Sequence, residues 1–122
     1  MRILIIGDGK VGSTLIERLS KEDHDIVVID TNPKVIENAV NSYDVMGVVG
    51  NGASYTILKE AEAEKADMII ASTNSDELNI LSCLVAKKIG ARHTIARVRN
   101  PEYSKQLQFL KYELGLSMVI NP

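Results

Sequence analysis

Tryptophan is absent from this chain of 122 residues, and phenylalanine and cysteine occur once each. With no tryptophan and a single phenylalanine the core has to be aliphatic, which suits a sheet of valine and isoleucine strands. One cysteine, Cys83, excludes an internal disulfide. It lies inside a helical pattern and is expected to be buried as a small apolar side chain rather than to act as a reactive thiol. No apolar run approaches the ~20 residues that a membrane-spanning helix needs, and Met1 leads directly into a strand-like run with no targeting pattern. Charge of one sign is lacking too: 14 Lys and Arg stand against 16 Asp and Glu, a net charge of −2. Neither nucleic acid nor an anionic membrane is therefore expected as a partner, and the chain is expected to be soluble and cytoplasmic. The two histidines, His24 and His93, fall in a charged loop and at the base of a strand. Neither is placed as a general acid or base, no cluster has zinc-ligand spacing, and no nucleophile sits with a base.

What is present is an ordinary single-domain composition, 45% hydrophobic and 25% charged, with one core to bury. Short apolar runs read as strands over 2–6, 26–30, 45–49, 67–71, 94–98 and 117–120. They are continuous rather than alternating, as parallel strands covered on both faces require. Helical periodicity fills the gaps. Val11, Leu15, Ile16 and Leu19 share one face of the first helix. Thr31 or Asn32 caps the second ahead of Pro33, Ser54 starts the third, and the fourth runs from Ser75 to Gly90. The fifth follows Pro101 and is expected to end near Gly115. In the fourth helix Leu78, Leu81, Val85 and Ile89 are expected to pack on the sheet. Ile80, Cys83 and Leu84 then widen the apolar arc toward either a neighbouring helix or a second subunit. The alternation predicts one domain over 1–122, an α/β fold with a Rossmann-type doubly wound parallel sheet in strand order 3-2-1-4-5-6.

Gly7, Gly9 and Gly12 form G-x-G-x-x-G between the first strand and the first helix, the context that lifts this motif above coincidence. The first glycine permits the turn, the second lets a pyrophosphate approach the backbone, and the third lets helix and strand pack closely. Backbone N–H groups at the helix start then meet the phosphates, where the dipole favours negative charge. The side chains of Asp8 and Lys10 point out of the turn, and Lys10 either reaches a terminal phosphate or faces solvent. A phosphate-binding G-x-x-x-x-G-K-[ST] loop is absent, so its hydrolysis chemistry is not indicated. Asp30 closes the second strand about twenty residues on, the place of a carboxylate that accepts ribose hydroxyls and repels a 2′-phosphate. NADP is therefore disfavoured; the bland alternative is that Asp30 caps the next helix. In "GNGAS" Asn51 offers a donor and an acceptor to a base edge, and Gly52 and Ala53 leave room for a flat ring. Ser72, Thr73 and Asn74 follow the fourth strand at the switch point, where the far half of a ligand lies. Asp76 and Glu77 either serve the helix dipole or face the ligand. Arg97 ends the fifth strand as a cation able to reach phosphate, whereas Arg99 is expected to be a solvated or interface charge.

The segments "GDGKVGSTL", "VIDTNP", "GNGAS", "STNSDELNI", "IARVRNPEY" and "VINP" together resemble the RCK (KTN) domains, the N-terminal regulatory domains of Trk-type bacterial potassium uptake systems. The resemblance runs from residue 2 to residue 122. It implies a peripheral subunit on the inner face of the cell membrane that binds NAD(H) or ATP/ADP, forms a homodimer and larger gating rings, and couples ligand state to a membrane potassium transporter. Carried over by position, Gly7, Gly9, Lys10 and Val11 match the phosphate loop, and Asp30, with Thr31 beside it, the ribose ligand. Asn51, Gly52 and Ala53 match the base-side turn, Thr73 and Asn74 the segment after the fourth strand, and Arg97 a basic residue near phosphate. Family members usually continue into a crossover helix and a C-terminal lobe, whereas this chain ends at Pro122. Two functions stand against each other on these residues. One is a nucleotide-sensing regulatory module without catalysis; the other is the cofactor domain of an NAD-dependent dehydrogenase separated from its catalytic domain.

Overall fold

The computed structural model describes residues 1–7, 9–110 and 118–120, and for Lys10 and 118–120 the backbone course alone. Among these residues strands and helices alternate as β1 (Arg2–Ile6), α1 (Lys10–Leu19), β2 (Asp25–Asp30), α2 (Pro33–Ser42), β3 (Met46–Val49), α3 (Tyr55–Glu60), β4 (Met68–Ala71), α4 (Asp76–Ile89), β5 (His93–Arg97), α5 (Pro101–Phe109) and β6 (Met118–Ile120). One 3-10 turn, Ala63–Lys65, follows α3. The strands form a single sheet in the order β3-β2-β1-β4-β5-β6, every pair parallel. Strand order and fold class are those expected from the sequence. Helix α5 is described to Phe109 with Leu110 as its C-cap; the expected end near Gly115, like Pro122, lies outside the described residues.

Alternate residues of β1, β2, β4 and β5 feed two cores, which explains the continuous apolar runs. On β1, Leu4 and Ile6 belong to the core shared with α3 and α4, which includes Leu58, Cys83 and Ala86. Ile3 and Ile5 belong to the other core, with Ile16 of α1 and Ile36 of α2. The register aligns Ile6 with Ile29 and with Ala71, and Asp30 with Val49. With every pair parallel, the five connections that follow β1 to β5 leave the sheet along one carboxyl edge, and the order reverses between β1 and β4, the switch point of a doubly wound sheet.

Helix α4 corrects the expected facing. Asn79, Ser82, Cys83 and Ala86 are the buried positions, whereas Leu81, expected against the sheet, is 51% exposed. Short side chains let the helix axis approach the strands. Leu78, Ile80, Leu84, Val85 and Ile89 are only partly buried. Ile80, Leu84, Val85 and Ile89 pack against the border of the α3–α4 core, so Val85 and Ile89 keep the inward contact expected of them while Leu81 does not.

Cys83 is buried as expected, with its Sγ 3.4 Å from the carbonyl oxygen of Ile95. Burial pushes its thiol from 9.0 up to about 12. The native chain at pH 8 should therefore resist a thiol reagent such as Ellman's until denaturant is added, when one equivalent reacts. Because the folded value is raised, the stability linked to this group is complete below pH 9.0 and is lost as pH rises toward about 12, which alkaline unfolding of wild type against Cys83→Ala would read.

Candidate functional site

Gly7 leaves β1 with φ +86°, a left-handed conformation that side chains other than hydrogen rarely adopt. Its N–H donates to the Ile29 carbonyl at 2.8 Å, prolonging the β1–β2 ladder before the chain turns. A Cβ there would lie 2.9 Å from Thr73 N and 3.0 Å from its Cα, and backbone cannot step aside. Gly12, in the first turn of α1, is tighter still: a Cβ would lie 2.2 Å from the Gly7 carbonyl oxygen. Gly7 is required by its backbone conformation and by the turn after β4, and Gly12 by the packing of α1 against the end of β1. Gly9 is different. Its φ of −74° is open to any residue, and a Cβ would meet the Ser72 carbonyl oxygen at 3.7 Å, an ordinary contact.

Helix α1 starts on Gly9, which has no side chain with which to cap it. The other four helices begin on Asn32, Ser54, Ser75 and Asn100, each accepting from a first-turn N–H. The N-cap of α1 thus leaves first-turn N–H groups without the side-chain acceptor that the other helices have, the condition for receiving an anion.

Beside it lies a cleft of about 600 Å³ whose wall includes Ile6, Gly7, Gly9, Ile29, Asp30, Thr31, Asn51, Gly52, Thr73, Asn74 and Leu78. A volume of this size is ordinary for small-molecule sites. The cleft brings together eight of the residues singled out in the sequence: Gly7, Gly9, Asp30, Thr31, Asn51, Gly52, Thr73 and Asn74. Asp30 stands at the rim with Oδ1 accepting from Asn32 N at 2.9 Å. The capping of α2 falls to Asn32, whose own Oδ1 accepts from Lys34 N, so Asp30 is not the helix cap.

Several expectations are corrected. Asn51 does not present its acceptor to a base: Oδ1 accepts from Ala53 N at 2.9 Å and closes the turn, leaving the amide nitrogen as its group for a ligand. Ala53 contributes that amide and does not line the cleft. The smallness of Gly52 serves Ile6, since a Cβ would lie 2.3 Å from Ile6 Cγ2. Ser72 is fully buried, and its Oγ donates to the Gly7 carbonyl at 3.1 Å. It holds the glycine turn from beneath and does not face a ligand. Glu77 turns away, because two residues along a helix rotate it well past Ser75. It accepts from the Tyr103 phenol at 3.1 Å, between α4 and α5, and that hydrogen bond holds the Tyr103 phenol above its ordinary range.

Arg97 does not line the cleft either; its Nη1 lies 3.5 Å from the Thr73 carbonyl oxygen, behind the wall. Val11 is half-buried in the first turn of α1 and is not part of the wall. Asp8 and the Lys10 side chain lie outside the described residues. Arg99, expected as a solvated or interface charge, donates from Nη2 to the Asn74 carbonyl at 3.2 Å.

Sequence reasoning did not single out Asn32, Val35, Ser75 and Leu78 as part of the wall. Two of these were visible as helix caps, and a cap on this sheet edge necessarily borders the cleft. Asn79 was missed as well, although a lone amide within an apolar helical pattern was a signal.

A doubly wound parallel sheet, with a glycine turn and a strand-end carboxylate flanking a cleft at its switch point, defines a Rossmann-type domain of the nucleotide-binding class. More narrowly, the chain belongs to the TrkA-N domain family, whose model matches residues 3–122. It is 40% identical over its whole length to a Trk system potassium uptake protein TrkA homolog of Archaeoglobus fulgidus and spans 28% of that protein. Among solved structures it resembles the TrkA-N domain of the inner membrane protein ybaL from Escherichia coli, at 26% identity and a TM-score of 0.85, covering 98% of this chain and 86% of that one. The GsuK channel bound to NAD gives 26% identity and a TM-score of 0.82, covering 98% of this chain and 21% of that one. GsuK bound to ADP gives 26% identity and a TM-score of 0.78, covering 98% and 31%.

Proposed function

We propose that this chain is the nucleotide-sensing regulatory domain of a potassium uptake system, binding NAD(H) or ATP/ADP and catalysing no reaction. The observation that carries this reading is one cleft that holds both Gly9, which the fold does not need as glycine, and the Asp30 carboxylate. In it, the uncapped first turn of α1 receives phosphate, Asp30 accepts ribose hydroxyls, and the Asn51 amide nitrogen meets a base edge. Thr73 and Asn74 face the ligand's second half and so report which nucleotide is present. Membership of the TrkA-N family supports the transport context, and the NAD- and ADP-bound forms of GsuK support the ligand class.

A regulator has to bind its ligand differently in two conformations, or binding shifts nothing. The outer face of α4 is the surface that carries the difference in this reading. Leu81 is 51% and Leu110 37% exposed, and with Ile80, Leu84, Tyr103 and Leu107 they line a groove between α4 and α5. A second copy of the chain covers that groove in a homodimer, and the assembly sits on the cytoplasmic side of a membrane transporter. No helix among the described residues is long and apolar enough to cross a membrane itself.

Calorimetric titration with NAD, NADH, ATP and ADP tests the reading, with NADP as the disfavoured control. Saturable binding of at least one of the four, tighter than that of NADP, is expected, with a change in solution mass or dimer geometry between ligands. Binding of none would overturn the sensor reading. Turnover of NADH with carbonyl substrates would replace it with that of a dehydrogenase cofactor domain.

A further inference from the structure

Asn79 occupies a position on the sheet-facing side of α4 where an apolar residue is the ordinary choice, and it is completely buried. A buried amide is costly unless each of its hydrogen-bonding groups finds a partner. Here all do. Oδ1 accepts from Thr73 N at 2.8 Å and from Thr73 Oγ1 at 2.7 Å, while Nδ2 donates to the carbonyls of Thr73 at 3.1 Å and Arg97 at 2.8 Å. A backbone N–H only donates and a carbonyl only accepts, so the orientation of the amide is determined by its partners. Three of the four bonds converge on one residue of the cleft wall.

Thr73 in turn stands directly against the glycine turn, leaving a Cβ on Gly7 no more than 2.8 Å from its Cγ2. The same wall is held from its outer side. The Asp76 carboxylate accepts from Arg99 N at 3.0 Å and Asn100 N at 2.8 Å, and Arg99 returns a bond to the Asn74 carbonyl. The segment 73–76 is thus clasped to 97–100, with Asn79 as the inner fastening and Asp76 as the outer one. Helix packing alone requires neither group.

We propose that Asn79 and Asp76 are positioning residues that hold Thr73 and Asn74 where the second half of a dinucleotide is read, and so set the preference for dinucleotide over mononucleotide. This rests on the nucleotide-binding reading above. Asp30 and Asn51 flank the β2–β3 side of the cleft, and Thr73 lies across the switch point on the β4 side. A mononucleotide seated on the first side gains little from the clasp, whereas a ligand spanning the crevice depends on it.

The test uses AMP and NAD as probes on wild type, Asn79→Leu and Asp76→Ala, with calorimetry for affinity and thermal melting for stability. Wild type should bind NAD more tightly than AMP. In Asn79→Leu, which keeps volume but removes the acceptor of Thr73 N and the donor to the Thr73 and Arg97 carbonyls, NAD should weaken about tenfold or more while AMP stays within about twofold. Asp76→Ala, at the rim and without a buried amide to lose, should narrow the NAD-to-AMP ratio in the same direction and serves if Asn79→Leu does not fold. A lower melting temperature with an unchanged ratio would show a merely structural role and overturn the inference. Equal wild-type affinity for AMP and NAD would overturn it too, leaving the nucleotide reading intact. Binding of neither probe would overturn the inference, and the nucleotide reading with it only if NADH, ATP and ADP also fail to bind.

Discussion

Asp30→Ala is expected to weaken binding of NAD, NADH, ATP and ADP alike, by on the order of 1.5–3 kcal/mol for bonds to a charged acceptor. That is a rise in Kd of roughly ten- to a hundredfold. The carboxylate stands at the end of β2, at the rim of the cleft, with Oδ1 oriented by Asn32 N. Its loss removes a ribose acceptor and leaves the strand's register with Val49 to the backbone. Thermal melting alongside the titration separates a loss of ligand contacts from a loss of fold. The same substitution removes the charge that repels a 2′-phosphate, so NADP should approach or overtake NAD in affinity. Calorimetry with NAD and NADP on both proteins reads the two effects together. An unchanged NAD affinity would separate Asp30 from the ribose and leave it as a turn residue.

The second large effect separates two glycines of one motif. Gly12→Ala forces a Cβ into a space 2.2 Å from the Gly7 carbonyl oxygen and 3.2 Å from Ser72 Oγ. Neither can retreat, because Gly7 is tied to Ile29 and Ser72 to Ile6 by backbone hydrogen bonds. Helix α1 has to lift from the sheet, and the chain should lose about 3 kcal/mol or more of stability. Gly9→Ala meets an ordinary contact and an extended backbone. Its stability should stay within about 1 kcal/mol of wild type, the scale of an N-cap change, yet its methyl group occupies the approach of a phosphate to the first turn of α1. Chemical denaturation and nucleotide titration of the two variants should therefore give opposite patterns: one unstable, the other stable and deaf to ligand. If Gly9→Ala bound nucleotide as wild type does, the phosphate would have to lie elsewhere.

The strand order and the capping residues were legible because each rests on local chemistry. A continuous apolar run reports burial on both faces, and Asn32 (with Thr31 as the alternative), Ser54 and Ser75 stand directly before the helices they cap; Asn100, which caps α5, was not singled out. The cleft's backbone side was legible for the same reason, since Gly7 and Gly9 sit within a recognisable strand–turn–helix. Much of what failed depends on a partner distant in the chain. The facing of α4 was misread because periodicity counts large aliphatic side chains, and this helix seats itself with small ones. Glu77 was placed at the ligand because Tyr103, which holds it, lies in a different helix. The Asn51 acceptor was assigned to a base when its own turn takes it. Asn79 went unnoticed because its reason for being polar is a carbonyl on another strand, that of Arg97.

The small inner face of α4 has a mechanical consequence. A helix that rests on long side chains can absorb a displacement of the sheet by rotamer changes, as a cushion does. Ser82, Cys83 and Ala86 have little or no such freedom, and Asn79 is held by hydrogen bonds at both ends of its amide. Interiors this closely packed transmit strain instead of dissipating it. A displacement at the carboxyl edge is therefore expected to move the helix with it, as motion passes through a gear train without backlash.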